Sequence, residues 1–233
     1  MKKFLLIPFL SAWIWAPPFA WAQIEFHAVH HATLVIQTAS QSIYVDPVEA
    51  AEAYSSFPQP DIILITHGHR DHLNKTVVNA IKQPGTLIIG SREVVQMLSE
   101  GKVLNNGDSL EHGGILIEAV PAYNLTPGRL KFHPRGQGNG YVITADKKRI
   151  YISGDTEDIQ EMRTLKDIDY AFVCMNLPYT MTVDQAVSAV MAFKPRLVMP
   201  YHYRGQNGKS DIDRFKQAVE KDTDTKVEFL NWY

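Results

Sequence analysis

The chain is 233 residues long, with 45% hydrophobic residues and 23 basic against 25 acidic side chains, a formal charge of −2. That length supports a substantial core in one large domain or two small ones. The near balance of charge excludes a protein that relies on a broad basic face, so no nucleic-acid partner is expected.

The first 22 residues read as a secretory signal peptide. Lys2 and Lys3 form a basic start, Phe4 to Phe19 is apolar, and Ala20-Trp21-Ala22 is a small-x-small cleavage site. The rival is an uncleaved anchor, because the apolar stretch approaches spanning length. Pro17 and Pro18 break a helix just before the cut and favour cleavage. The mature chain then begins at Gln23, as one domain over 23–233, with 21 basic and 25 acidic residues and a charge of −4. No later segment is long and apolar enough to span a membrane. An exported protein without a stable span is expected, periplasmic in a Gram-negative cell.

No repeat or low-complexity linker divides residues 23–233. Thr33 to Thr38 and Ser42 to Val45 read as a strand pair, closed by Asp46-Pro47. Asp61 to Ile65 is an apolar, β-branched run that reads as a buried strand. Helices are predicted over Leu73 to Lys82 and Ser91 to Glu100, with a strand from Thr86 to Ile89 between them and Gly101 as a stop. Ile115 to Val120 is a strand, and Gly140 to Thr144 pairs with Arg149 to Ser153 in a hairpin. A short helix over Ile159 to Leu165 precedes the strand Tyr170 to Met175, where Cys174, the only cysteine, reads as a buried inert thiol. Thr182 caps a helix to Phe193; Arg196 to Met199, Ser210 to Lys221 and Val227 to Leu230 follow as strand, helix and strand. Strands joined partly by hairpins and partly by helices imply a mixed α/β layout of two packed sheets with helices outside.

The chemistry concentrates at strand ends. Directly after Asp61 to Ile65 comes Thr66-His67-Gly68-His69-Arg70-Asp71-His72, three imidazoles and a carboxylate in six residues. Neutral imidazole and carboxylate are the natural ligands of Zn²⁺ and similar divalent ions, and Gly68 is expected to let the backbone turn between them. Asp46, Asn124, Asp155 and His202 each follow another strand. Singly each reads as a turn residue; together they form the order Asp, HxHxDH, Asn, Asp, His.

That order, with Ser153-Gly154-Asp155-Thr156 and Pro200-Tyr201-His202, resembles the metallo-β-lactamase-fold hydrolase superfamily, and within it the branch described as ascorbate-6-phosphate-lactonase-like. The resemblance runs from His30-His31 to Tyr203. It implies a four-layer αββα sandwich with one or two metals at the sheet edge: Zn²⁺, with Mn²⁺ or iron as alternatives. It implies His67 and His69 as ligands of a first ion, Asp71, His72 and His202 as ligands of a second, and Asp155 as the carboxylate bridging both. Asp46 corresponds to the aspartate that supports the HxHxDH loop without ligating. Asp155 and Asp71 are the expected catalytic carboxylates.

One position departs from the pattern. Where the family has a third histidine for the first ion, this chain has Asn124. The amide is a poorer donor than imidazole, so either that site is weak or His133 completes it. His31 is a further candidate facing the site. A bound Zn²⁺ lowers the pKa of water from ~15.7 to about 7, which suits attack on a small-molecule ester, lactone or phosphoester. Arg129, Lys131 and Arg135, beside the glycine-rich stretch 136–140, are candidates for holding an anionic group. The competing functions are an iron-dependent oxidoreductase of the same fold and a non-catalytic metal-binding protein.

Overall fold

The computed structural model describes residues 24–233, so the expected signal segment, Met1 to Ala22, lies outside the described residues. The first half contains β1 (Glu25–His30), β2 (Thr33–Gln37), β3 (Ser42–Val45), β4 (Ile62–Leu64), α1 (Lys75–Ile81), β5 (Leu87–Gly90), α2 (Arg92–Leu98) and β6 (Lys102–Val103). These strands form one six-stranded sheet in sequential order. The second half contains β7 (Ser109–His112), β8 (Ile115–Ala122), β9 (Gly138–Ala145), β10 (Lys148–Ile152), α3 (Gln160–Arg163), β11 (Tyr170–Cys174), α4 (Val183–Phe193), β12 (Leu197–Tyr201), β13 (Arg204–Gly205), β14 (Gly208–Lys209), α5 (Ile212–Asp222) and β15 (Lys226–Val227). Its main sheet has seven strands in the order β15-β12-β11-β10-β9-β8-β7, and β13 with β14 makes a separate hairpin.

Side-chain alternation shows why the sheets stack. Leu34 and Ile36 of β2, Ile43 and Val45 of β3, and Ile62 and Leu64 of β4 belong to the large core shared with the second sheet. The intervening Val35, Tyr44 and Ile63 belong to a second core with Val77, Val78 and Ile81 of α1 and Val94 and Leu98 of α2. A strand buried on both faces reads as a continuous apolar run. A slip by one residue would exchange the two sets, and each of these aliphatic side chains contributes about 2 kcal/mol by burial. On the far side, Ala186, Val190 and Phe193 of α4 and Phe215 and Val219 of α5 pack into the large core, with Phe193 edge-on to Tyr151 at 5.8 Å. The layers are therefore helix, sheet, sheet, helix.

Local signals place the helix starts. Asn74 accepts from the backbone of Thr76 and Val77, so α1 begins two residues after Leu73. Thr182 and Gln185 form a reciprocal capping box on α4. α2 ends at Ser99, itself left-handed at φ 65°, before Gly101 is reached.

Strands β3, β4 and β5 are parallel, as are β10, β11 and β12. Their C-terminal ends share one edge of the sandwich, which is where an α/β sheet assembles a site. The sheets are tied together there: Asn139 donates its backbone N–H to Thr66 O at 2.8 Å, and the Tyr141 hydroxyl donates to Ile65 O at 2.8 Å.

Candidate metal centre

The loop leaving β4 is held from beneath by Asp46, a fully buried carboxylate at the end of β3. Its Oδ1 accepts from the Thr66 backbone at 2.7 Å. Its Oδ2 accepts from the Thr66 hydroxyl at 2.7 Å and from His72 Nδ1 at 2.7 Å. With its proton donated to Asp46, the Thr66 oxygen accepts from His67 Nδ1 at 3.0 Å. Both imidazoles thereby turn Nδ1 toward the Thr66–Asp46 pair and Nε2 outward, the orientation a metal ligand needs. Gly68 lies in the bend between the two flanking imidazoles, as expected, without a left-handed φ. A Cβ there would meet Met97 Sδ at 2.8 Å, the end of a flexible, exposed side chain that can move aside. Gly154 does turn left-handed, at φ 61°, with Asn139 O only 2.6 Å from where a Cβ would sit.

Three groups of potential ligands converge above this base: His67, His69 and His133; His67, His72 and Asp155; and His31, Asp71 and His202, with ligand atoms in each group within 4.8 Å of one another. His133, from the loop after β8, stands in the corner beside His67 and His69. Its Nδ1 is 3.1 Å from Tyr179 O, which leaves Nε2 free for the site. Asn124 lies behind this ring rather than in front of it. Its amide nitrogen donates to Tyr179 O at 2.7 Å and Arg129 O at 3.0 Å, and sits 3.3 Å from His133 Nδ1.

Glu157, which the sequence did not single out, anchors the loop that carries His133. It accepts from the backbone of Leu125 and Thr126, both at 2.6 Å, and from Arg129 at 2.7 Å. Two of the three cations expected to hold an anionic group are paired with carboxylates. Arg129 is committed to Glu157, Thr180 O and Gln185, and Arg135 pairs with Glu161 over the Tyr123 ring. Lys131 lies over Phe132. The glycine-rich stretch is mostly the start of β9, not a free loop.

Asp155, only 4% exposed, joins the groups. Its Oδ1 is 3.5 Å from both His72 Nε2 and His202 Nε2, and its Oδ2 is 3.3 Å from His133 Nε2. Asp71 Oδ2 is 3.5 Å from His202 Nε2. Buried Asp155 Oδ1 and His133 Nε2 have no hydrogen-bond partner. Four donors placed tetrahedrally at about 2.1 Å from Zn²⁺ stand about 3.4 Å from each other. These spacings and orphaned atoms therefore fit divalent ions. Asn176 was also missed, although it follows β11 as the other site residues follow their strands; its amide nitrogen is 3.1 Å from His202 Nε2. His31, Asp46 and His202 are all left-handed, at φ 57°, 47° and 44°. Such strain in non-glycine residues costs about 1–3 kcal/mol each and concentrates at functional sites.

Burial and then the neighbouring His72 hold His67 well below the ordinary histidine range. Burial and His133 lower His69. Burial also opposes charge on His202, but Asp155 and Asp71 outweigh it and raise the imidazole to about 10. Burial likewise opposes ionisation of Asp155, yet His202 and His72 hold it well below the carboxylate range. The metal-free site thus carries protons at neutral pH that an ion must displace. Metal uptake at pH 7 is expected to release protons, and affinity to rise with pH until His202 is neutral near pH 10. Calorimetric titration in buffers of different ionisation enthalpy measures this; uptake without proton release would contradict it.

A helix–sheet–sheet–helix sandwich with clustered histidines and aspartates at one sheet edge is the metallo-β-lactamase architecture, and the chain's relatives make it a metal-dependent hydrolase of that fold. The chain belongs to the beta-lactamase superfamily domain family, which matches residues 25–202. It is 31% identical over 209 residues to a UPF0173 metal-dependent hydrolase of Methanoregula boonei, covering 84% of this chain and 90% of that one. A UPF0173 metal-dependent hydrolase of Methanosarcina mazei is 29% identical over 221 residues, covering 88% and 95%. The crystal structure of a proposed metal-dependent hydrolase from Parabacteroides distasonis superposes with a TM-score of 0.81 at 44% identity, covering 90% of this chain and 98% of that one.

Proposed function

We propose that this protein hydrolyses a carboxylic ester or lactone, as the lactonase-like branch would imply, and that it does so with one or two divalent ions, zinc foremost. The observation that carries the reading is Asp155, which belongs to one ligand group with His67 and His72 and lies 3.3 Å from His133 and 3.5 Å from His202 of the other two. His67, His69 and His133 would hold a first ion and Asp71, His72 and His202 a second, with Asp155 available to either. Bound ions supply Lewis acidity toward water and the substrate oxygen.

The remaining roles fall to the chain itself. Asp155, with both oxygens among imidazoles, fixes the two ligand groups relative to each other. Asp71, 46% exposed at its side chain, is the carboxylate open to the pocket. The mouth is lined by His69, Asp71, Phe132, His133, Asp155, Asn176 and Tyr179, a space of about 290 Å³. The edge-packed Phe132 and Tyr179 make one wall apolar. Beyond Glu93 and Gln137, which border the His67–His69–His133 corner, lies a groove of about 380 Å³ with Ser91, Arg92 and Gln96 on its walls that can receive hydroxyls. Arg129 and Arg135 are already paired with Glu157 and Glu161, so an anionic group on the substrate would meet Lys131 beside Phe132 or Arg92 in the groove instead.

Export with removal of Met1 to Ala22 belongs to the same proposal and rests on the leader pattern. The test is protein purified from its native compartment, N-terminally sequenced, analysed for metals and assayed on sugar lactones, neutral esters, phosphodiesters and β-lactams. Lactone or ester turnover that stops on chelation and returns with Zn²⁺, from a chain starting at Gln23, is expected. Turnover confined to phosphodiesters would refute the substrate reading; an intact Met1 in washed membranes would refute export.

A further inference from the structure

The geometry points to Tyr233 as the residue that positions His31 at the second ion. The inference rests on the two-ion reading above and extends it to a part of the chain that the reading does not use. His31 sits in the tight turn between β1 and β2, and its backbone carbonyl accepts from the His202 N–H at 3.1 Å. The two rings approach edge-on, with centroids 4.5 Å apart. His31 groups with Asp71 and His202 within metal-ligand reach. Its Nδ1 lies 2.9 Å from the Tyr233 hydroxyl, so Nε2 is the nitrogen left for the ion.

A phenol at that place does for His31 what Asp46 does for His72. It fixes the ring orientation and, when the phenol oxygen accepts from Nδ1, keeps the proton there, so that Nε2 would present a lone pair. The phenol is itself held firmly. The Arg204 guanidinium stands 4.1 Å over its ring and the Lys209 ammonium 4.9 Å, and the Tyr203 ring meets it edge-on at 5.0 Å. Arg204 and Lys209 come from β13 and β14, a hairpin outside both main sheets. The hairpin therefore clamps Tyr233, Tyr233 orients His31, and His31 adds a nitrogen donor beside Asp71 and His202.

The experiment is calorimetric titration of the metal-free full chain with Zn²⁺, comparing wild type, Tyr233→Phe, His31→Ala and the double variant. Tyr233→Phe keeps the clamped ring and deletes only the hydroxyl. It is expected to weaken the second-ion step about tenfold, leaving the other step and the melting temperature of the metal-free protein unchanged. His31→Ala should weaken the same step at least as much, and Tyr233→Phe should then add nothing. An unchanged second step in Tyr233→Phe, or an equal loss with and without His31, would overturn the positioning role. A merely structural phenol would lower the metal-free melting temperature and leave the titration as it was. His202→Ala is the control for the underlying reading: if it too leaves both steps intact, the second ion is misplaced, and Tyr233 falls with it for a different reason.

Discussion

Asp155→Asn is expected to lower kcat/KM by about 10³-fold or more, about 4 kcal/mol of transition-state stabilisation, and to reduce bound metal below the wild-type stoichiometry. The side chain is the one group within 3.5 Å of ligand nitrogens on both sides of the centre: His133 Nε2 through one oxygen, His72 and His202 Nε2 through the other. An amide keeps the shape, supplies one neutral oxygen and turns an N–H₂ toward the remaining imidazoles, where it competes with a cation. The fold should survive. In the metal-free protein the amide no longer sustains a charged His202, so the imidazole returns toward neutrality instead of remaining a buried unpaired cation. Far-UV circular dichroism with elemental analysis separates the two effects. Full metal and full activity in a folded Asp155→Asn protein would remove Asp155 from the centre altogether.

The features legible in the sequence are those written over short distances. The apolar runs Thr33 to Gln37, Ser42 to Val45 and Ile62 to Leu64 give buried strands because each is covered on both faces. Thr182 and Gln185 give a helix start because a capping box needs only four residues. β1 was not read, since His27 and His30 break its apolar pattern; their company is His27 against Phe57 and His30 bonded to Glu49, contacts made across the fold. β7, half exposed, and the two-residue β6, β13 and β14 are too short or too polar to carry a period.

The site divides in the same way. His67, His69, Asp71 and His72 are visible because one loop carries them. The place of His133 in front of Asn124 is not, because it follows from where Glu157 and Tyr179 O pin the loop after β8. The contact between His31 and Tyr233 spans 202 positions, and no local pattern records it.

Asp46 carries the second large effect, and its two replacements should behave differently. Asp46→Ala leaves the Thr66 N–H, the Thr66 hydroxyl and His72 Nδ1 without their acceptor in a fully buried place. Removing one partner of a buried charged network costs about 3 kcal/mol or more, read as a fall in chemical-denaturation stability of the metal-free protein. Asp46→Asn should cost less, because its carbonyl oxygen still receives the Thr66 N–H. Its N–H₂, however, occupies the position of Oδ2 and faces two groups that formerly donated. His72 can satisfy it only by accepting at Nδ1, which moves the imidazole proton to Nε2, the atom turned toward Asp155. The Thr66 hydroxyl must reorient too, and His67 loses the oxygen that oriented it. The asparagine variant is therefore expected to fold nearly as well as wild type and yet bind metal about 10- to 100-fold more weakly. Equal losses of stability and of affinity in the two variants would mean that Asp46 acts only as packing; wild-type metal affinity in Asp46→Asn would mean that the proton on His72 is not set by this carboxylate.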